Sequence, residues 1–275
     1  MTENEHLYEY KQEVQVPPFA MVDDLLIVTE CGNKTVMANS YINAKSNLKK
    51  LQFGTDKCHK MHVGRKKVNG VCPDIYVDGW KVKEVSEVET GESTLLDEFD
   101  GQEKMDEVSE EKYLGDNLSD DGRNMKNILA RAAKGTGIVS QIMCILEEIF
   151  VGKYYFEVAV VLRNSLLLSS ILVNSEAWYN LKKEEVEKIE QVDEMLLRKV
   201  LECPVTTPKE MIYLELNCLP IRFIIKSRRL NFLSYILSED KFLLIYCFLK
   251  AQLRNPSKND WVHTVLGDMK DLKFI

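Results

Sequence analysis

Two adjacent aspartates, Asp23 and Asp24, stand between apolar flanks rich in strand-forming residues, Phe19-Ala20-Met21-Val22 before them and Leu25-Leu26-Ile27-Val28 after. This pattern predicts a β-hairpin with both carboxylates at its bend. Acids held in apolar surroundings are costly unless they bind a cation. Ionised carboxylates are hard oxygen donors that suit Mg²⁺, and a bound Mg²⁺ polarises a phosphate group. The chemistry expected of the pair is metal-dependent nucleotidyl transfer, with Mg²⁺ as cofactor.

Three blocks follow one another in fixed order: Ala20-Met21-Val22-Asp23-Asp24, then Leu51-Gln52-Phe53-Gly54-Thr55-Asp56-Lys57-Cys58, then Lys112-Tyr113-Leu114-Gly115. The series resembles the reverse transcriptases of non-long-terminal-repeat retrotransposons, which are RNA-directed DNA polymerases. The resemblance implies that the first block is the metal-binding turn of the polymerase palm, with Asp23 ligating Mg²⁺ and Asp24 assisting it. Met21 stands where the family often has tyrosine. It further implies that Lys57 stabilises or protonates the leaving pyrophosphate, a task suited to a cation beside developing negative charge. Tyr113, Leu114 and Gly115 would form the primer-grip hairpin, glycine letting the backbone approach the primer closely. Residues 123–240, including Asn174-Ser175-Glu176-Ala177-Trp178-Tyr179-Asn180-Leu181, are similar to the thumb and post-thumb part of such elements. An RNA template and a DNA primer are the partners implied for the complete enzyme. That enzyme carries a further catalytic aspartate upstream of the paired ones. Only 22 residues precede Asp23 here, so the resemblance implies a fragment without fingers or first aspartate, inactive by itself.

The elements that would position these residues can be read in outline. Residues 12–30 read as a hairpin, with Pro17-Pro18 confining its first arm to an edge. Between residues 35 and 53 the spacing predicts a helix with Val36, Tyr41, Ala44, Leu48 and Leu51 on one face. A short strand is expected at His59–Val63, and a second hairpin at Ile75-Tyr76-Val77, Asp78-Gly79, Trp80-Lys81-Val82. The acidic insert 84–112 reads as a loop. Beyond Gly122 the character is helical. Ile128, Ala132, Val139, Ile142, Met143 and Leu146 form one stripe, with a bend expected at Gly135 and Gly137 because each costs about 1 kcal/mol against alanine. Val186, Ile189, Val192, Leu196 and Val200 form a second stripe. Thr207-Pro208-Lys209-Glu210 starts another helix, and two more are expected at roughly 219–238 and 240–253. Lys126, Arg131 and Lys134 are placed opposite the first stripe, where they would follow duplex phosphates. Lys226, Arg228 and Arg229 form a further basic cluster. The expected fold class is α+β: an incomplete palm at 1–72, a hairpin, acidic loop and grip at 73–115, and an all-α thumb and C-terminal region at 116–275.

Net charge is −7, yet Glu84–Lys112 alone carries twelve acids against two lysines. The remainder is therefore +3, and a phosphate-rich partner is compatible with it. Seven dispersed cysteines without a C-x-x-C pair point to a reducing, intracellular setting and to no disulfide partner. The polar, acidic start does not read as a signal peptide. Residues 154–173 are apolar, but Glu157, Arg163 and Asn164 within them favour a core helix over a membrane span. Cys58-His59-Lys60-Met61-His62 matches no common zinc-finger spacing. A different class of function fits the same chain: a non-catalytic helical module that binds nucleic acid or protein.

Overall fold

A computed structural model of the chain describes residues 19–21, 24–29, 32–49, 53–63, 74–80, 102–148, 152–240 and 243–273. The described elements fall into two compact units, divided between Arg123 and Asn124. Helices dominate and strands are short, so the fold is broadly α+β.

In the first unit β1 (Phe19–Met21) and β2 (Asp24–Leu26) form an antiparallel hairpin in which Met21 lies opposite Asp24. Helix α1 (Gly32–Leu48) follows. Then come β3 (Phe53–Gly54), a 3-10 turn Thr55–Lys57, β4 (His59–Lys60) and β5 (Tyr76–Trp80). The unit closes with β6 (Gln102–Lys104), β7 (Asp106–Glu107), β8 (Glu110–Tyr113) and β9 (Asp116–Ser119). Pairing gives separate sheets, β1–β2, β3–β5–β6, β4–β7 and β8–β9. The single sheet that a polymerase palm requires is not formed among the described residues.

Three local expectations are corrected here. Asp78 and Gly79 do not turn, because β5 runs straight through them. Asp78 pairs with Gln102 on one side and Gly79 with Phe53 on the other, so both backbone edges find partners that a turn would have left idle. The end of the acidic insert is not loop: residues 102–112 supply β6, β7 and most of β8. Residues 84–101 lie outside the described residues. Helix α1 buries the opposite side from the one its apolar spacing suggests. Asn39, Asn43 and Ser46 are buried, whereas Met37, Tyr41 and Leu48 are exposed.

The second unit is built on α2 (Met125–Glu148) and α5 (Lys183–Val200). Ile128, Val139, Ile142 and Leu146 from the first and Ile189, Val192, Leu196 and Val200 from the second share one core. Each such side chain contributes about 1.5–3 kcal/mol by leaving water. Gly135 does not bend α2. It lets the helix approach its neighbours, since a Cβ there would sit 2.8 Å from Val192 Cγ1 and 2.9 Å from Ile171 Cγ2. Between the two long helices the apolar run forms α3 (Tyr155–Leu162), a π-helical segment Arg163–Leu168, and α4 (Ser169–Ile171). Arg163 within it is buried. By length and composition α2 is the one helix among the described residues able to cross a membrane.

The chain ends with α6 (Lys209–Glu215), α7 (Ile221–Ser238), α8 (Leu244–Arg254) and α9 (Trp261–Asp271). The last was not anticipated by the sequence reading. Ile236, Leu249 and Val262 make a smaller core there, with Phe232 and Trp261 packed against it edge to face, ring centres 5.7 Å apart.

Candidate functional site

Asp24 opens β2 and is exposed; Asp23 lies outside the described residues. The hairpin that carries Asp24 pairs within itself, and Lys57 belongs to a different sheet's surroundings, at the exposed end of the 3-10 turn after β3. That turn is tied locally. The Cys58 backbone N–H donates to Thr55 O at 3.2 Å, and the Cys58 thiol donates to Gly54 O at 3.3 Å. Burial, with the Asp56 charge adding to it, pushes the Cys58 thiol up. Nearby, Asp74 bridges Lys104 at 2.8 Å and the buried Lys60 at 3.7 Å. The Lys104 hydrogen bond holds the Asp74 carboxyl below the usual range.

Mg²⁺ asks for several oxygen donors in near-octahedral array. Among the described residues no three acidic, histidine or cysteine side chains gather to hold a metal. Of the pair, Asp24 is the member among the described residues, and by itself it supplies fewer oxygen donors than the ion takes.

Tyr113, Leu114 and Gly115 are brought together as the tip of the β8–β9 hairpin. Tyr113 pairs with Asp116, leaving Leu114 and Gly115 as a two-residue turn with φ of 48° and 85°. Positive φ at both positions is the type I′ geometry that matches strand twist. It accounts for the glycine through conformation alone. Leu114 is the anomaly: a bulky residue in the left-handed region, 48% exposed, where asparagine would be the ordinary choice.

The cations of the second unit fall differently from their predicted face. Lys134 is exposed and Lys126 half-buried, but Arg131 is buried and is withdrawn as a phosphate contact. Three residues after Ile128 and four before Gly135, it belongs to the inward side of α2 at about 100° per residue. Its Nε donates to Asn127 Oδ1 at 3.1 Å and its Nη1 to Ser170 O at 3.2 Å. Its guanidinium lies 5.8 Å from the Trp178 ring centre.

Arg228 and Arg229 are engaged in the same way. They serve the irregular stretch 172–180, bracketed by Asn174 and Asn180 at positive φ. Arg228 donates to Leu172 O and Ser175 Oγ, and Arg229 Nη1 to Trp178 O at 3.2 Å. Trp261 Nε1 donates to Glu176 O at 2.7 Å, Asn124 Nδ2 to Tyr179 O at 3.1 Å, and the Asn180 N–H to Thr264 Oγ1 at 3.0 Å. Side chains from α7, α9 and the start of α2 thus satisfy the carbonyls of Glu176, Trp178 and Tyr179, for which no backbone N–H among the described residues serves as donor, and add a second donor to Leu172 O. Arg229 also grips Asp268 through two hydrogen bonds of 2.6 and 3.0 Å, and Lys226 bridges Asp271.

Two further charged clusters lie in this core, and sequence reading did not anticipate them. Arg163 Nε and Nη2 donate to the two Asp193 oxygens at 2.6 and 2.7 Å, and Tyr213 OH donates to Asp193 Oδ2 at 3.1 Å. Burial opposes the Arg163 charge, but the Asp193 carboxylate outweighs it and holds the guanidinium above its ordinary pKa. Burial first, then the Asp193 charge, pushes the Tyr213 phenol up. Arg222 clamps the buried Glu190 through Nε and Nη2 at 2.8 and 2.6 Å, with Lys209 at 3.6 Å. Burial raises the Glu190 carboxyl, yet its Arg222 hydrogen bonds prevail and leave it below the usual range. The one sequence signal was Arg163 itself, a cation inside an apolar run. Compared with protein families, curated proteins and solved structures, the chain matches none.

Proposed function

We infer that this chain is the palm end, thumb and post-thumb part of a retrotransposon reverse transcriptase, and that it does not polymerise by itself. The observation that carries the reading is the order of its three motifs, Asp23-Asp24, Lys57 and Tyr113-Leu114-Gly115. Two local features support it. Asp24 of the first motif opens the second strand of a hairpin, opposite Met21, and the third motif lies at the bend of another, with Tyr113 opposite Asp116. Leu114 is held exposed in a backbone conformation costing about 1–2 kcal/mol for an L-residue, and strain of this kind concentrates where a side chain is needed by a ligand. The assembled enzyme would take an RNA template, a DNA primer and Mg²⁺, with Asp23 and Asp24 among the metal ligands.

A concrete test uses Mn²⁺ as a paramagnetic probe on the purified chain, alongside primer extension on an RNA template. Line broadening should centre on residues 19–26 and vanish in Asp23→Asn/Asp24→Asn, with no primer extended. Broadening centred elsewhere, or unaffected by the substitutions, would refute the metal assignment. Template-dependent extension would refute the claim of inactivity.

One observation favours the second reading, a non-catalytic module. The second unit has its own contiguous core, from Ile128 through Ile225. With Arg131, Arg228 and Arg229 committed internally, protein is the better partner for such a module than nucleic acid. Salt-dependent gel shifts on RNA–DNA duplex separate the two, since a protein-binding module would produce none.

A further inference from the structure

Helix α1 and the start of β5 line a cleft of about 330 Å³, the size at which small-molecule sites begin. The helix side of the cleft is a ladder of amides. Asn39, Asn43 and Asn47 recur every four residues, so they share one face, and Ser40 lies beside them. Asp74, Ile75 and Tyr76 line the strand side. Asparagine is a weak helix former, and burying it is costly unless its amide is paired. Yet Asn39 and Asn43 are only 8% and 7% exposed. Both donate through Nδ2 to the same acceptor, Tyr76 O, at 2.6 and 3.1 Å. One such bond ties helix to strand; the second adds little to that tie. Asn43 Oδ1, though buried, has no hydrogen-bond partner among the described residues. A buried acceptor left unpaired is destabilising, and a bound donor would relieve it.

Charge and hydrogen-bonding capacity narrow the occupant. Asp74 is the charged side chain lining the cleft, and Lys104 at 2.8 Å and Lys60 at 3.7 Å balance it. An anion would meet that carboxylate, and a cation would have to displace Lys104, so a neutral ligand is favoured. It should be rich in donors. Amide oxygens and a carboxylate accept hydrogen bonds, and two of the lining N–H donors are already directed at Tyr76 O. The exposed Ser40 and Asn47 can both donate and accept. A hydroxyl also does both from one atom, which suits side chains that offer acceptor and donor side by side. Tyr76, 44% exposed, gives apolar surface for the C–H face of a ring.

We propose that the cleft between α1 and β5 binds a neutral polyol of monosaccharide size, a free sugar or the ribose of a nucleoside. Asn43 and Asp74 accept from its hydroxyls, and Ser40 and Asn47 bond it at the exposed side. Asp23, Asp24 and Lys57 take no part, so the site stands whether or not the polymerase reading does.

The test follows the asparagine side-chain amide resonances of the isotope-labelled full chain as D-glucose, adenosine, adenine or n-butylammonium is added. Saturable shifts at Asn39, Asn43 and Asn47 with glucose or adenosine support the proposal. Glucose acting alone identifies a free sugar, and adenosine acting alone, with adenine inert, identifies the ribose of a nucleoside. Asn43→Leu should weaken binding by about tenfold, as expected when a ligand hydroxyl loses its partner. Its urea midpoint should not fall, because leucine leaves no unpaired acceptor. Ser40→Ala, at an exposed position, should weaken binding by about threefold with helix content unchanged, and it carries the test if Asn43→Leu does not fold. No saturable shift with glucose or adenosine, or binding indifferent to Ser40→Ala and to a folded Asn43→Leu, overturns the proposal. Adenine acting as strongly as adenosine overturns it in favour of a base. Saturable shifts with n-butylammonium that vanish in Asp74→Asn overturn it in favour of a cation.

Discussion

Gly135 and Gly137 are two residues apart on α2, and an alanine at each should move stability in opposite directions. Alanine is preferred to glycine in a helix interior by about 1 kcal/mol. A Cβ at residue 137 meets no atom within 4 Å, so Gly137→Ala should realise most of that gain. A Cβ at residue 135 would lie 2.8 Å from Val192 Cγ1, 2.9 Å from Ile171 Cγ2 and 3.5 Å from Leu167 Cδ1. The two nearest are branched at Cβ, and such side chains are stiff at χ1 in a helix, so neither can swing aside cheaply. Relief must come from separating α2 from α5 and α4, an overpacking cost of about 1–3 kcal/mol. The net for Gly135→Ala is then a loss of about 1 kcal/mol at the middle of that range, and the two variants should differ by about 1–3 kcal/mol. Urea denaturation followed by far-ultraviolet circular dichroism measures this, taking midpoint shifts at constant slope. Were Gly135→Ala to raise the midpoint as much as Gly137→Ala, the close approach of α2 to Val192 and Ile171 would be refuted.

Asp193→Ala should destabilise the helical unit by about 3–5 kcal/mol, because it strands the buried Arg163 charge. Adding Arg163→Met should recover much of that loss in urea denaturation, and no recovery would deny that the stranded charge is the cause. Glu190 titrates in the folded state below its ordinary value of 4.5. Its contribution is therefore complete above that pH and is lost as pH falls through the depressed folded value. Thermal melts from pH 6 downward should show a steeper acid loss in the natural chain than in Glu190→Gln, and parallel curves would refute the Arg222 clamp. Leu114→Asn should stabilise the β8–β9 hairpin by about 1 kcal/mol, since asparagine tolerates the left-handed conformation. Amide hydrogen exchange at residues 110–119 reads this, and reduced protection would refute the type I′ assignment.

What the sequence made legible follows from how far each signal reaches. The stripes of α2 and α5 were readable because both helices bury one continuous face, and period alone identifies such a face. Period cannot say whether a face has anything to cover it. Tyr41 and Leu48 share a stripe as expected, yet they point outward, because β5 takes the asparagine side through the Tyr76 carbonyl. Asp78-Gly79 carries a strong local turn signal that long-range pairing overrides. Helix α9 had a readable start, Asp260 before Trp261, Val262 and Val265. Its short length and the charged stretch around it kept the apolar run from standing out.

The cations mark the other boundary. A basic cluster in a sequence reads as a solvated or phosphate-facing surface because lysine and arginine are rarely buried. That inference fails wherever backbone must cross a core without regular structure, since each bare carbonyl there needs a donor. Arginine supplies several from one side chain, in a planar fork that bridges two acceptors at once. Residues 172–180 create that demand at the Glu176 and Trp178 carbonyls, and Trp261 and Arg229 meet it. Arg131 serves the neighbouring Ser170 carbonyl and lies over Trp178. The requirement is set by the shape of a segment far away in sequence, so no local count of charge could reveal it. It also narrows any nucleic-acid reading of the helical unit. Of the cations first assigned to a duplex, only Lys126 and Lys134 remain at the surface of α2, too few to hold one by charge alone.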